Sequence, residues 1–283
     1  MPATVLPEAN DGRGAYEVAE QAVRAAAAVI TPRVAEMSLP LDQRNVVVSK
    51  KGRNNLVTDV DHSSEAAILN ILNRAFPHDA ILAEESGGRD GTTGYSWHID
   101  PIDGTRNFAS GIPHIAVNLA LTYNRRILLG MTYDPIRDEL FHAIEGGGAF
   151  INNQQIRVSE TSTLPESMFG MDMGYVDDKA KLLLDMLHGM WPGMQSIRMM
   201  GSAALGVAYA AAGRLEIYAH HHVQPWDIAP GLLLVREAGG VVTDLRGNPA
   251  VPESGCLVAA SPTIHRAFME ATEGTAWRLS QTT

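Results

Sequence analysis

Apolar positions in the first part of the chain recur at helical spacing. They predict a helix from Gly14 to about Met37, alanine-rich at Ala25 to Ala28, which Pro32 should kink or end. Residues 1 to 13 read as loosely attached. Lys50 to Asn55 is polar and contains a glycine, so it reads as a loop. A second helix is expected from about His62 to Ala75, with Ala67, Ile68, Ile71 and Leu72 on one face and Phe76-Pro77 ending it. Strand-length apolar runs follow at Ala80 to Ala83, Tyr95 to Ile99, Ile115 to Tyr123, Ile127 to Tyr133 and Glu139 to Ile144. Gly146-Gly147-Gly148 then turns the chain into Ala149-Phe150-Ile151.

The pattern changes in the second half. Helices are expected at about Asp178 to Leu187, Ala203 to Ala212 and Ile228 to Glu237, with Gly213 and Gly239 at C-cap positions. Short strands are expected at Leu215 to Tyr218, Val241 to Thr243 and Leu257 to Ala259. The alternation suggests an antiparallel α+β lobe at about 14–160 beside an α/β lobe at about 161–270. No linker separates them, so residues 1–283 read as one catalytic domain of two intimate lobes.

Composition narrows the partners. Of 283 residues, 45% are hydrophobic and 19% charged, which fits a folded globular protein. A formal net charge of -10 argues against nucleic acid or an anionic membrane as the main partner. Cys256 is the only cysteine, so no intrachain disulfide forms, and a reducing compartment is expected. The start of the chain has no signal-like apolar run, and no stretch approaches the roughly 20 apolar residues needed to span a bilayer. Cytoplasmic location is the expectation.

The chemistry gathers at acidic residues beside predicted strand ends and helix starts. Asp100 and Asp103 frame Pro101 and Ile102 after a strand. Two unpaired carboxylates this close resist ionising together, and a divalent cation removes that penalty. The Ile102 carbonyl lies between them as a further ligand. Gly104 permits close backbone approach, and free N–H groups at Gly104 and Thr105 suit a phosphate oxygen. The Thr105 hydroxyl could orient a water. Each acid has a plainer reading. Asp103, Asp61 and Asp227 could each be a helix N-cap, and Glu84-Glu85 a solvated loop. Independent caps would not require so many acids at strand ends and helix starts, where α/β ligand sites collect.

These segments resemble the inositol monophosphatase family of magnesium-dependent, lithium-sensitive phosphatases. Two signatures carry the likeness: Trp97-His98-Ile99-Asp100-Pro101-Ile102-Asp103-Gly104-Thr105, continuing to Phe108, and Trp226-Asp227-Ile228-Ala229-Pro230-Gly231, continuing to Gly240. Asn55 to Asp61, Ala83 to Ser86 and Gly201 to Ala204 support it in the same order, over roughly residues 14 to 268. The resemblance implies a layered αβαβα sandwich, usually a homodimer, acting on a small phosphate ester, foremost inositol 1-phosphate. It implies two or three magnesium ions, with manganese as an alternative ion. Glu84, Asp100 and the Ile102 carbonyl would hold the first. Asp100, Asp103 and Asp227 would hold the second, with Asp100 bridging, and Glu84 would reach a third. Asp61 and Thr105 would position and deprotonate the attacking water. Gly104 and Thr105 would hold phosphate oxygens, and Gly201, Ser202 and Ala203 would line the pocket for the leaving alcohol.

One position departs from the family. Inositol-specific members carry a substrate-contacting glutamate seven residues before the Trp-Asp aspartate, and here that position is His220. Fructose 1,6-bisphosphate, histidinol phosphate and 3'-phosphoadenosine 5'-phosphate are therefore alternative substrates, and a catalytically silent regulatory protein is the remaining reading. His221 and His222 read as a surface run. Lys50 or Lys51 could face the site, Arg106 could touch substrate, and the methionines from Met168 to Met200 read as core filler.

Overall fold

The computed structural model describes residues 4–34, 36, 39–40, 43–44, 46–50 and 56–280. The elements in order are α1 (Ala15–Val34), β1 (Val48–Lys50), β2 (Leu56–Thr58), α2 (Asp59–Ala75), β3 (Ala80–Ala83), β4 (Gly87–Arg89), β5 (Tyr95–Asp103), α3 (Thr105–Ser110), β6 (Ala116–Tyr123), β7 (Arg126–Asp134), β8 (Glu139–Ile144), β9 (Gly148–Ile151) and β10 (Gln154–Gln155). They continue with β11 (Met168–Met171), α4 (Asp177–Met190), β12 (Ser196–Met199), α5 (Ala203–Ala211), β13 (Ile217–His220), α6 (Pro225–Glu237), β14 (Val241–Thr243), β15 (Leu257–Ala260), α7 (Pro262–Ala271) and α8 (Ala276–Leu279).

An eight-stranded sheet runs β10-β9-β8-β7-β6-β5-β3-β4, and a five-stranded sheet runs β12-β11-β13-β15-β14. The first sheet is antiparallel except where β3 lies parallel to β5. That parallel pair brings the C-terminal ends of β3 and β5 side by side, which is where Glu84 and Asp100 lie. The second sheet is mixed, with β11 parallel to β12 and β13 and β15 antiparallel to its neighbours.

Helices cover both faces of both sheets, giving the expected αβαβα sandwich. The apolar stripe of α1, from Ala15 through Val18, Ala22, Ala26 and Ile30, packs with α2 against Val117, Leu119 and Leu121 of β6. The opposite face of β6, Ala116 and Ala120, packs on α5 and α6. Those helices meet Tyr218, Leu257 and Ala259 on the inner face of the second sheet. Val258 and Ala260 point outward into a third core with Leu183, Ile264, Phe268 and Trp277. Strands buried on both faces explain why their sequences are continuously apolar.

Several expectations needed correction. The chain from residue 4 is tied down, because Thr4 donates its N–H to Glu145 O at 2.8 Å and Asn10 to Ala75 O at 3.0 Å. Pro32 does not break α1, which continues to Val34, and Met37 lies outside the described residues. Strand β13 sits two residues later than Leu215 to Tyr218, since Leu215 faces the α5 core. The methionines from Met168 to Met200 are core filler only in part: Met171 and Met194 are buried, Met168, Met173, Met190 and Met200 are half-buried, and Met199 is exposed; the segments at 168–171 and 196–199 are strands β11 and β12.

Candidate active site

Strand β5 leaves regular pairing between Asp100 and Asp103. Pro101 has no N–H to offer the ladder, and its carbonyl accepts from the Ser64 hydroxyl at 3.0 Å. Ile102 N–H turns back to Asp100 Oδ1 at 3.0 Å. This irregularity places both aspartates on the floor of one cleft of about 430 Å³, with Glu84, Asp172 and Asp227 on its walls. Oxygen atoms of Asp100, Asp103 and Asp227 lie within 4.8 Å of one another.

None of the three is a helix N-cap. Asp103 ends β5, and the cap of α3 is Gly104. Asp227 is the third residue of α6, with Gln224 as the cap and Pro225 at the first position. Its Oδ2 accepts from Gln224 N–H at 2.7 Å. Asp61 likewise lies inside α2, where Thr58 is the cap. Thr58 N–H donates to Asp61 Oδ2 at 2.8 Å, and the Thr58 hydroxyl shares that carboxylate. The other oxygen, Oδ1, accepts from the Thr105 hydroxyl at 3.0 Å. The Ile102 carbonyl lies at the same distance from that hydroxyl, so the single Thr105 proton has two acceptors.

Burial and mutual repulsion set the charge. Burial pushes the Asp100 carboxyl well above its usual range, and Glu84, Asp103, Asp227 and Asp61 push it further. Burial and then Asp103 raise Asp227 in the same way. Asp103 is raised to about 6 by burial, against hydrogen bonds from Ser202 and Ala204. Burial also raises Asp61 to about 6. An all-oxygen cluster that resists ionising by itself fits a hard divalent cation, with Asp100, Asp103 and Asp227 as the nearest ligand set.

Gly104 adopts φ 92°, which favours glycine. A Cβ there would come 3.0 Å from both Gly201 O and His114 O, so the turn is closed against Gly201. Asn107 locks the same junction, donating to His114 O at 2.8 Å and Gly201 O at 3.1 Å. Ser202 caps α5, and its hydroxyl donates to Asp103 Oδ2. Ala203 lines the cleft beside it.

His220 ends β13, is buried and lines the cleft. Its Nδ1 accepts from His222 N–H at 3.1 Å, which puts the proton of the neutral ring on Nε2. Burial holds it well below the usual histidine range. His221 is not a surface residue. It is 2% exposed, and its ring stacks on His220 at 5.3 Å. Arg106 lines the cleft with its guanidinium 5.4 Å from the Tyr175 ring centre. Lys50 is exposed at the end of β1 and is not on the cleft wall, and Lys51 lies outside the described residues.

Four supporting residues escaped the sequence reading. Thr58 had a signal, since Thr-x-x-Asp before an apolar run marks a capping box. Glu65 had none. It holds the loop after Glu84 by accepting from Glu85 and Ser86 N–H at 2.8 Å each. Asn118 on β6 donates to Asp227 O at 2.7 Å and Trp226 O at 3.0 Å, fastening the start of α6 to the first sheet. Asp172 accepts from the Tyr218 hydroxyl at 2.6 Å and from Gly201 N–H, which fixes the Gly201 turn from the second sheet.

The inositol monophosphatase family profile matches residues 13–280. The chain belongs to that phosphatase family. It is 41% identical over 218 residues to Nus factor SuhB of Pasteurella multocida, covering 76% of this chain and 81% of that protein. It is 39% identical over 219 residues to the fructose-1,6-bisphosphatase/inositol-1-monophosphatase of Thermotoga maritima, covering 77% and 83%. The crystal structure of extragenic suppressor protein suhB from Bartonella henselae superposes with a TM-score of 0.86 at 35% identity, covering 92% of this chain and 98% of that one. No helix among the described residues is long and apolar enough to cross a membrane.

Proposed function

We propose that this phosphatase hydrolyses inositol 1-phosphate or a closely similar monoester of a small polyhydroxylated alcohol, with magnesium in the cleft. One observation carries the reading: the Asp100–Asp103–Asp227 oxygen cluster lies in the same cleft as Thr105, whose hydroxyl is hydrogen-bonded to the fully buried Asp61 behind the wall. Glu84, Asp100, the Ile102 carbonyl, Asp103 and Asp227 would hold the magnesium ions. When bound, these would supply Lewis-acid activation of water and neutralise charge on the phosphoryl oxygens.

The remaining work falls to the chain. Thr105 Oγ accepts from the attacking water while its own proton points to Asp61 Oδ1. Asp61, raised to about 6, can take up a proton near neutrality. Glu84 faces the same water from the cleft wall. Backbone N–H groups of Gly104 and Thr105 meet the phosphate oxygens. Gly201, Ser202 and Ala203 border the leaving alcohol, and His220 offers its Nε2–H to a substrate hydroxyl. A single catalytic domain of two lobes, a homodimer and a cytoplasmic location belong to the same proposal.

The activity named for the Thermotoga maritima relative supports fructose 1,6-bisphosphate as a second substrate. The name Nus factor raises a non-catalytic role, and the intact carboxylate set favours catalysis over it. A phosphate-release panel with magnesium tests the reading. It should cover inositol 1-phosphate, fructose 1,6-bisphosphate, histidinol phosphate and 3'-phosphoadenosine 5'-phosphate. Inositol 1-phosphate is expected to be hydrolysed best. No release from any ester by folded protein would refute the enzyme. His220→Glu should raise selectivity for inositol 1-phosphate, and unchanged selectivity would remove His220 from the substrate site.

A further inference from the structure

A second cavity, of about 390 Å³, lies behind the cleft and shares the His222 and Gln224 wall with it. Its chemistry is opposite to that of the cleft. Lys179, half-buried in the first turn of α4, is the only permanent cation among its described wall residues. Lys179 lines the cavity together with His221, His222 and Cys256, and its charge lowers the pKa of all three. The one carboxylate on the wall, Glu253, is paired with Arg125 at 3.2 Å.

His221 adds a second, independent observation. It is 2% exposed and lines the cavity; the Met173 carbonyl is its one backbone partner, and neither ring nitrogen makes a hydrogen bond of good geometry with a described residue. A buried polar group held this weakly costs free energy, and native structures seldom leave one so. Burial keeps the ring neutral near pH 7, so it has one N–H to give.

We propose that the cavity walled by Lys179, His221 and His222 binds a small oxyanion, separate from the phosphoryl group being cleaved. Lys179 supplies the charge and the histidine rings supply neutral donors. The wall links the site to catalysis, since Gln224 N–H bonds to Asp227 Oδ2 on the other side. The oxyanion has two sources, a free ion or a second anionic group on the substrate. The proposal rests on the phosphatase reading only for this last coupling.

Sulfate binding by metal-free protein in chelator, measured by calorimetry, tests the site. Lys179 lines the second cavity and not the cleft, so binding that depends on Lys179 reports on the second cavity. The wild-type protein should bind sulfate at one site, and Lys179→Ala should weaken binding at least about tenfold, the order expected for one charge-assisted hydrogen bond. Lys179→Arg should retain most of it. No sulfate binding by wild type, or equal affinity in a folded Lys179→Ala, would overturn the site, whether or not the protein hydrolyses any ester. Steady-state kinetics then separates the sources. A KM increase in Lys179→Ala confined to bisphosphate substrates marks a substrate-borne group. A sulfate effect on monoester hydrolysis seen in wild type and lost in Lys179→Ala marks a free ion. If neither appears, the coupling to catalysis is wrong.

Discussion

Asp172 shows how a single buried acid couples the two sheets to the cleft. It follows β11, accepts from Tyr218 and Gly201, and is held at about 7 chiefly by burial. The sign of its effect on stability follows from linkage. Its folded pKa lies above the unfolded value of about 3.9, so its contribution is fully present below about pH 4 and is lost as pH rises through about 7. Asp172→Asn keeps an acceptor for these donors and removes the ionisation. The melting temperature of metal-free wild type should therefore fall more steeply between pH 5 and pH 8 than that of Asp172→Asn, as followed by circular dichroism. Parallel curves would mean that Asp172 does not titrate in this range. This residue had no signal in the sequence, because its environment is made by Tyr218 and Gly201, tens of residues away. Asp100 and Asp103 were legible because strand, proline and glycine set their spacing locally.

At the level of elements, α6 carries Asp227 and is held from several sides. Asn118 fixes its first carbonyls, and Pro230 lies against Gly130 of β7. A Cβ at Gly130 would come 2.7 Å from Pro230 Cα, too close for any side chain. Gly130→Ala should cost about 1–3 kcal/mol by overpacking. It should also weaken magnesium binding by displacing α6, which a urea titration and metal calorimetry would show together. Normal stability and normal metal affinity in the variant would contradict the account of how α6 is seated. The helix itself was legible from its apolar run, but its start was placed three residues late. Pro225 suits the first helical position, and Gln224 is an uncommon cap, so the Trp226-Asp227 pair looked like the boundary. Strands β11 and β12 were missed for a different reason: each is only four residues long, β11 is apolar throughout with no alternation to read, and the alternation of β12 is too short to stand out. Strands β5 to β8 are longer and separated by turn residues, and they were placed to within a few positions.

Across the whole molecule, five layers converge acidic side chains from β5, α6 and the β3–β4 junction on one cleft. Gathering like charges strains the metal-free protein, and a bound cation relieves that strain. Ligand linkage sets the scale: magnesium at a hundred times its Kd stabilises by about 2.7 kcal/mol per site. Thermal unfolding should shift upward on adding magnesium and return on adding chelator. A melting temperature indifferent to both would argue against any cation in the cleft. The layered fold was legible through the family resemblance and not through periodicity alone, since strand pairing such as β3 beside β5 is non-local.

The most direct test of the central claim is phosphate release from inositol 1-phosphate as magnesium is titrated, for wild type and for Asp100→Asn. Asp100 is the carboxylate on which Glu84, Asp103 and Asp227 all act, so its neutralisation should remove the shared ligand. The account predicts no release without magnesium, a saturable rise with it, and a loss of at least about a thousandfold in a folded Asp100→Asn, the order of one transition-state charge contact. Hydrolysis by wild type without a divalent cation, or near-normal turnover by the variant, would contradict it.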